Sequence, residues 1–267
     1  MLPARTAEQR LPFGALNQIF RKLNVMRVSV CMATYNGQPY IEDQMASILD
    51  QLGRDDEVVV VDDCSNDLTL DIIAGMNDPR IKIFRNERNL GHVQSFSRVL
   101  GLGSGDLLIM ADQDDIWLPE RVSKMNAALA APSTSCLASN SEFMHSSGAR
   151  MQYDCEGVTS DSSTDFAGNI WSIFTGRRRY YGCAMAVKKD FCGVILPIPK
   201  YVESHDLWIA MAGNMARANV HIDAATLVRR VHGNNASIVQ RPLVKKLWSR
   251  VIFAISYIHL LWRLRLA

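Results

Sequence analysis

Apolar residues along this chain change period repeatedly, and each change marks an element. RVSVCMA (27–33) has the short, apolar character of a strand. Ile41, Met45, Ile48, Leu49 and Leu52 then recur at the 3.6-residue period of a helix. EVVVVDD (57–63) is an unbroken β-branched run ending in acids, as expected of a strand covered on both faces. SNDLTLDIIAGM (65–76) offers a Ser/Asn cap and a second helix, and RIKIF (80–84) a third strand. GHVQSFSRVLGLG (91–103) sets Val93, Phe96, Val99 and Leu100 on one face and stops in glycines; GLGSG (101–105) precedes a strand and therefore reads as a turn. DLLIMA (106–111) is the fourth strand. Strand and helix thus alternate four times, the pattern of a parallel, doubly wound α/β sheet, in which ligands sit at the carboxyl ends of the strands.

Beyond residue 130 the rhythm loosens. APSTSC (131–136) and the polar stretch 145–169 are predicted as loops, YYGCAMAVKKD (180–190) as a strand and SHDLWIAMAGNMARAN (204–219) as a helix. VHIDAATLVRRVHGNNAS (220–237) predicts a strand running into a Gly/Asn turn. Residues 1–26 form an appendage with Leu16, Ile19, Phe20 and Leu23 at helical spacing. At the other end, 243–267 is a helix with a narrow polar stripe of Lys245, Ser249, Ser256, His259 and Arg263. Its charge-free run, Val251–Trp262, is too short to span a bilayer. It is expected either to pack on the domain or a second subunit, or to lie in a membrane interface anchored by Trp248, Trp262 and cationic ends; the second is preferred. The predicted organisation is therefore an appendage (1–26), one domain over 27–240 with halves at about 27–130 and 131–240, and a terminal helix over 241–267.

Composition narrows the classes. The 267 residues are 48% hydrophobic, enough for a sizeable core, and a net charge of +2 gives no electrostatic case for a nucleic-acid partner. Six cysteines without a C-x-x-C pair predict reduced, mostly buried thiols in a cytoplasmic protein, and MLPARTAEQRLPFG lacks the apolar run of a signal peptide. Oligomeric state is not legible.

Chemistry concentrates at strand ends. LLIMADQDDIW (107–117) runs an apolar strand into Asp112, Asp114 and Asp115. Like charges crowded beside a buried strand are costly unless a cation offsets them, and an oxygen-rich site suits Mg²⁺ or Mn²⁺ completed by substrate phosphates. A calcium-binding helix–loop–helix is excluded, because Trp117 stands where its loop needs glycine and Ser123 where it needs glutamate. A phosphotransferase forming an aspartyl phosphate is a rival, although three strand–helix units precede the acids here. Asp62 and Asp63 end a second strand, either capping the next helix or accepting from a base or ribose donor. His205–Asp206 is a helix cap or a general base. Arg229, Arg230 and His232 beside a turn suit a diphosphate.

The segments VSVCMATYNG, VVVDDCSND, NERNLGHVQSFSRVL, ADQDDIWLPERV, GCAMAVKK, SHDLWIAM and RRVHGNNAS follow in an order that resembles family 2 glycosyltransferases, above all the rhamnosyltransferase-like branch of bacterial surface polysaccharide assembly. The resemblance covers about 27–237. It implies a GT-A fold: an α/β/α sandwich on a mostly parallel sheet, with a Rossmann-like nucleotide half and an acceptor half. It also implies inverting, metal-dependent transfer from a nucleotide-diphosphate sugar, a UDP-hexose or dTDP-rhamnose, to a hydroxyl of a glycan or polyprenyl-linked acceptor at the inner face of the cell membrane. By position, Thr34, Tyr35 and Asn36 border the base and Asp63 accepts from its ring N–H. Asp112 faces ribose or metal, Asp114 is the metal ligand, Asp206 is the catalytic base, and Arg230 and His232 close over the diphosphate. One departure stands out: Ala33 replaces the Thr or Pro of many relatives; His205 stands where many members have Glu before the base, as is usual in the rhamnosyltransferase-like branch. The alternatives are an inactive nucleotide-sugar-binding scaffold at the membrane and the phosphotransferase.

Overall fold

A computed structural model describes residues 26–152, 156–177, 180–232 and 243–266. The appendage predicted over 1–26, save Met26, and the turn after His232 lie outside the described residues. The alternating units appear as predicted: β1 (Val28–Thr34), α1 (Ile41–Leu49), β2 (Glu57–Asp62), α2 (Thr69–Gly75), β3 (Ile81–Arg85), α3 (His92–Leu102) and β4 (Leu107–Ala111). After the acids come β5 (Ile116–Trp117), α4 (Arg121–Ala128), β6 (Cys136–His145) and β7 (Arg150–Met151). The remainder is α5 (Phe166–Thr175), β8 (Met185–Lys188), α6 (Cys192–Ile195), α7 (His205–Met215), β9 (Asn219–Val231) and α8 (Leu243–Leu266).

One sheet unites both halves of the domain. Its order is β3-β2-β1-β4-β8-β6-β9-β5, with β7 paired to β6. β3, β2, β1 and β4 are parallel; β8 lies antiparallel between β4 and β6, and β9 runs parallel to β6. One face of the sheet packs on α3 and α7 through Phe96, Leu100, Trp208 and Ile209, and the other on α1 and α4 through Ile41, Met45, Met125 and Leu129. Helices cover both faces because β2 and β4 are buried along their whole length, leaving no polar side to turn to water. The turn at GLGSG is locked by contact: a Cβ on Gly105 would lie 2.6 Å from the Arg27 carbonyl oxygen.

The stretch predicted as loops is more ordered than its polarity suggests. Residues 160–164 form a 3-10 turn, α5 follows with Asp165 accepting from Gly168 N, and β7 closes a hairpin on β6. β6 itself escapes the period-2 signal because Ser139, Asn140, Ser141 and Glu142 interrupt its apolar ends.

The C-terminal helix packs on the domain, with Ser249, Ser256, His259 and Arg263 of its polar stripe turned toward it and Lys245 exposed. Leu260 is fully buried and Phe253, Tyr257 and Leu264 join the core. Ser256 is buried, Ser249 donates to Glu203, and Arg263 donates to the carbonyls of Val194 and Pro197. The face left in water is therefore the apolar one: Val244, Leu247, Trp248, Val251, Ile255, Ile258 and Trp262 are exposed, Ile258 at 67%. No helix among the described residues is long and apolar enough to cross a membrane.

Candidate functional site

The parallel strands deliver their carboxyl ends to one rim, and hydrogen bonds weld that rim together. Thr34 Oγ1 donates to Asp62 Oδ1 at 3.2 Å, and Asp62 Oδ2 accepts from Ser65 N at 3.0 Å. Asp62 is completely buried and caps the turn after its own strand. Asp63, 4% exposed, accepts from Asn86 Nδ2 (2.7 Å), Leu90 N (2.7 Å) and Gly91 N (2.8 Å), which ties β2 to the start of α3. Asn36 N donates to Ser65 Oγ, and Asn36 Oδ1 accepts from Asn66 N. Tyr35 is exposed, while its backbone N and O pair with the Gln113 side chain at 2.8 and 3.0 Å. Of the residues predicted beside a base, Tyr35 thus faces solvent, whereas Thr34 and Asp63 are walled in.

The acidic loop is pinned from α1, where Gln44 Nε2 donates to the Asp112 carbonyl at 2.7 Å and Ser47 Oγ accepts from Trp117 N at 3.0 Å. Beyond it the end of β9 folds over. Arg230 N donates to Asp115 Oδ1 at 3.1 Å and its Nε to the Asp114 carbonyl at 3.1 Å. His232 Nε2 lies 2.6 Å from Asp114 Oδ2, and its ring stacks on Tyr40 at 5.2 Å. Asp114, Arg230 and His232, predicted separately, therefore meet.

Carboxylate oxygens of Asp112 and Asp115 and the Cys183 sulfur all lie within 4.8 Å of one another, and the Cys183 thiol is a hydrogen-bond partner of the buried Asp115 carboxyl. Burial, then the charges of Asp114 and Asp112, pushes the Asp115 carboxyl up to about 8. Burial and Asp114 push Asp112 upward too, and burial carries the Cys183 thiol well above its ordinary range. Two arginines offset part of this charge. Arg121, buried, donates to the Cys183 carbonyl at 2.5 Å and to Thr226 Oγ1, and burial lowers it to about 10. Arg229 lies over the Tyr181 ring at 3.9 Å and is an electrostatic neighbour of Asp112, Asp115 and Asp206. A hard divalent cation fits the remaining need, because burial and mutual repulsion both oppose ionisation of these carboxyls and a cation relieves that cost. The protonated Cys183 thiol is the wrong donor for Mg²⁺ or Mn²⁺.

Asp206 stands at the mouth of α7. It accepts from Leu207 N at 2.8 Å and from Ser204 Oγ, and Gly182 N–H is a further donor. Burial raises its carboxyl above the ordinary carboxylate range despite those donors and the nearby Arg229. Gly182, which donates to Asp206, precedes Cys183 of the acidic cluster, so the two carboxylate groups are neighbours.

The sequence analysis did not pick out Arg121 or Cys183. Arg121 carried a signal, since it shares a helical face with Met125 and Leu129 at four-residue spacing, which puts a charge on a buried stripe. Cys183 carried none; β4–β8 pairing brings it to the acids.

Residues 29–185 match the family model described as glycosyl transferase family 2. The dTDP-rhamnosyl transferase RfbG of Shigella flexneri is 27% identical over 222 residues, covering 76% of this chain and 72% of that protein. An uncharacterized glycosyltransferase of Haemophilus influenzae is 38% identical over 104 residues, 38% of this chain and 32% of its own length. For five of the curated relatives the match spans 28–39% of their length. Among solved structures, S. aureus TarS 1–349 in complex with UDP-GlcNAc superposes with a TM-score of 0.66 at 20% identity, over 86% of this chain and 66% of that one. The mannosyltransferase PcManGT from Pyrobaculum calidifontis, in complex with GDP-Man and Mn²⁺, gives 0.58 at 16% identity, over 96% and 83%. A GT-A sheet with acids at the end of its fourth strand, and a family match across more than half the residues, lead to one conclusion: the chain belongs to glycosyl transferase family 2.

Proposed function

We propose that the protein is an inverting, metal-dependent glycosyltransferase that moves a sugar from a nucleotide-diphosphate donor to a hydroxyl of a glycan or lipid-linked acceptor in bacterial surface polysaccharide synthesis. The observation that carries this is that Gly182 N–H donates to Asp206 while Cys183, the next residue, lies against Asp112 and Asp115, so the candidate base and the acidic cluster are neighbours. Inverting transfer needs those two groups on opposite sides of the anomeric carbon. In this assignment Thr34, Tyr35 and Asn36 border the base, and Asp63 offers it the one lone-pair position its three donors leave open. Arg230 and His232 close over the diphosphate. Asp112 and Asp114 would hold the cation, with the Asp115 carboxyl beside them. Bound there, Mg²⁺ or Mn²⁺ offsets the negative charge of the departing nucleoside diphosphate. Asp206 takes the proton of the acceptor hydroxyl as that oxygen attacks; its partly desolvated carboxylate is more basic than one in water. The relatives support the substrate class: RfbG is named for dTDP-rhamnose transfer, and WfgD of Escherichia coli for glucosyl transfer from UDP-Glc to a diphosphoundecaprenol-linked sugar.

A membrane surface at the cytoplasmic side is the second part of the proposal. The outward apolar face of α8, with Lys245, Lys246, Arg250 and Arg265 on the same helix and a tryptophan toward each end, suits an anionic bilayer interface where a polyprenyl-linked acceptor resides.

Sugar transfer or donor hydrolysis by the purified chain, assayed over UDP-hexoses and dTDP-rhamnose with Mn²⁺ and with chelator, tests the activity. Asp206→Asn is expected to lower turnover by roughly 10²–10⁴-fold while leaving UDP or dTDP binding intact. Near-normal turnover in that variant, or full activity under chelation, overturns the mechanism.

A further inference from the structure

A cavity of about 570 Å³ opens beside the β6–β7 hairpin, lined by residues 139–143 of β6, Arg150 and Met151 of β7, Gln152 and Tyr181. Its volume lies within the roughly 300–1,000 Å³ of small-molecule sites. The walls are held from behind. Asn140 Nδ2 donates to the Val158 carbonyl and Asn140 Oδ1 accepts from Val158 N, both at 2.9 Å, which fixes that part of the chain against β6. The Tyr181 ring stands edge-on to Phe143 with centroids 6.2 Å apart, and the Arg229 guanidinium lies over it at 3.9 Å. Ser139 Oγ donates to the Ala184 carbonyl at 3.0 Å, bonding the cavity wall to the turn 182–184. Within that turn Gly182 donates to Asp206, and Cys183 lies against Asp112 and Asp115. The cavity therefore adjoins the candidate base, on the β6 side of the sheet and away from the β1 and β2 ends that carry Thr34 and Asp63.

The lining decides what such a cavity takes. Glu142 and Arg150 pair with each other, so the wall offers hydrogen-bonding groups with little surplus charge. A phosphate would want an unpaired cation there, and a polyprenyl chain an apolar wall throughout. A sugar ring suits both parts of the lining: its hydroxyls donate and accept, and its C–H faces pack on Tyr181, Phe143 and Met151. The inference rests on the transferase reading above, in which an acceptor hydroxyl must reach Asp206. We propose that this cavity seats the sugar unit of the acceptor that presents the attacking hydroxyl, so the acceptor is recognised as a glycan and not through its lipid.

Saturation-transfer NMR on the full chain tests this, with the methyl glycosides of glucose, rhamnose and GlcNAc as probes. Met151→Trp and Gln152→Trp fill the cavity from the hairpin; Met151 is half-buried and Gln152 exposed, so the second variant keeps the test open should the first not fold. At least one glycoside should give a signal on the parent, and each variant should lower that signal by about fivefold or more. Affinity for UDP or dTDP, measured by calorimetry with Mn²⁺, should stay within about twofold of the parent. No signal from any probe on a parent that turns over a donor overturns the inference and leaves the transferase reading standing. An unchanged signal in both variants overturns it as well, as does UDP or dTDP affinity falling as far as the glycoside signal. A parent that turns over no donor overturns the transferase reading, and the acceptor role with it, whatever the glycosides do.

Discussion

Replacing Asp63 with asparagine tests whether one carboxylate holds the end of β2 to the start of α3. The side chain has about four lone-pair positions, and three are filled: Asn86 Nδ2 and Leu90 N on Oδ1, and Gly91 N on Oδ2. An amide keeps only one oxygen. In its better orientation that oxygen retains Asn86 and Leu90, and the new NH₂ confronts the Gly91 N–H. One charge-assisted hydrogen bond is lost, about 1.5–3 kcal/mol, and the two survivors lose the charge that strengthened them. Leu90 and Gly91 are open enough for water to compensate in part. The net cost is then about 2–4 kcal/mol. In a chain of this size that is roughly a 5–15 °C fall in Tm. Urea unfolding followed by circular dichroism measures it, with an unchanged m value showing that the unfolded state is not the cause. A loss below about 0.5 kcal/mol, the ordinary range of a surface change, refutes the reasoning. UDP affinity should fall in the same variant, since the open position on Oδ2 becomes a donor.

Glu57, buried, accepts from Ser29, Ser104 and Lys82; burial works upward on its carboxyl, but those donors outweigh it and hold it at about 2. A depressed folded-state value means that the stabilisation is present above the unfolded value of 4.5 and is lost as pH falls through about 2, so the unfolding free-energy gap between the parent and Glu57→Gln should shrink from pH 6 to pH 2.5. The raised carboxyl of Asp206 must be ionised to accept a proton, so the acid limb of kcat should lie above the 3.8 of an ordinary aspartate; a limb at or below 3.8 rejects Asp206 as the base. Leu247→Glu with Ile258→Glu, both on the exposed face of α8, should abolish co-sedimentation with anionic phosphatidylglycerol vesicles without lowering Tm; unchanged sedimentation rules out that face.

Sequence alone determined the first half of the fold and the strand ends at which its acids lie. The periods of β1 through β4, the acids at two strand ends and the His205–Asp206 pair before an apolar helix are local signals, written within a few residues of one another. Local pattern also predicted α8 but left two packings open, because a helix with a narrow polar stripe satisfies it equally by turning that stripe toward carbonyls of the domain or toward water. Tertiary structure decided the rest. β6 is a strand because β8 and β9 flank it, in spite of its Ser/Asn interruption. His232 reaches Asp114 across 118 positions of sequence, and Arg121 underlies the acids because it donates to the carbonyl of Cys183, 62 positions on. The charge balance of the site is a sum over such distant neighbours. Burial and proximity set each of those terms, and neither is a property of any short stretch of chain.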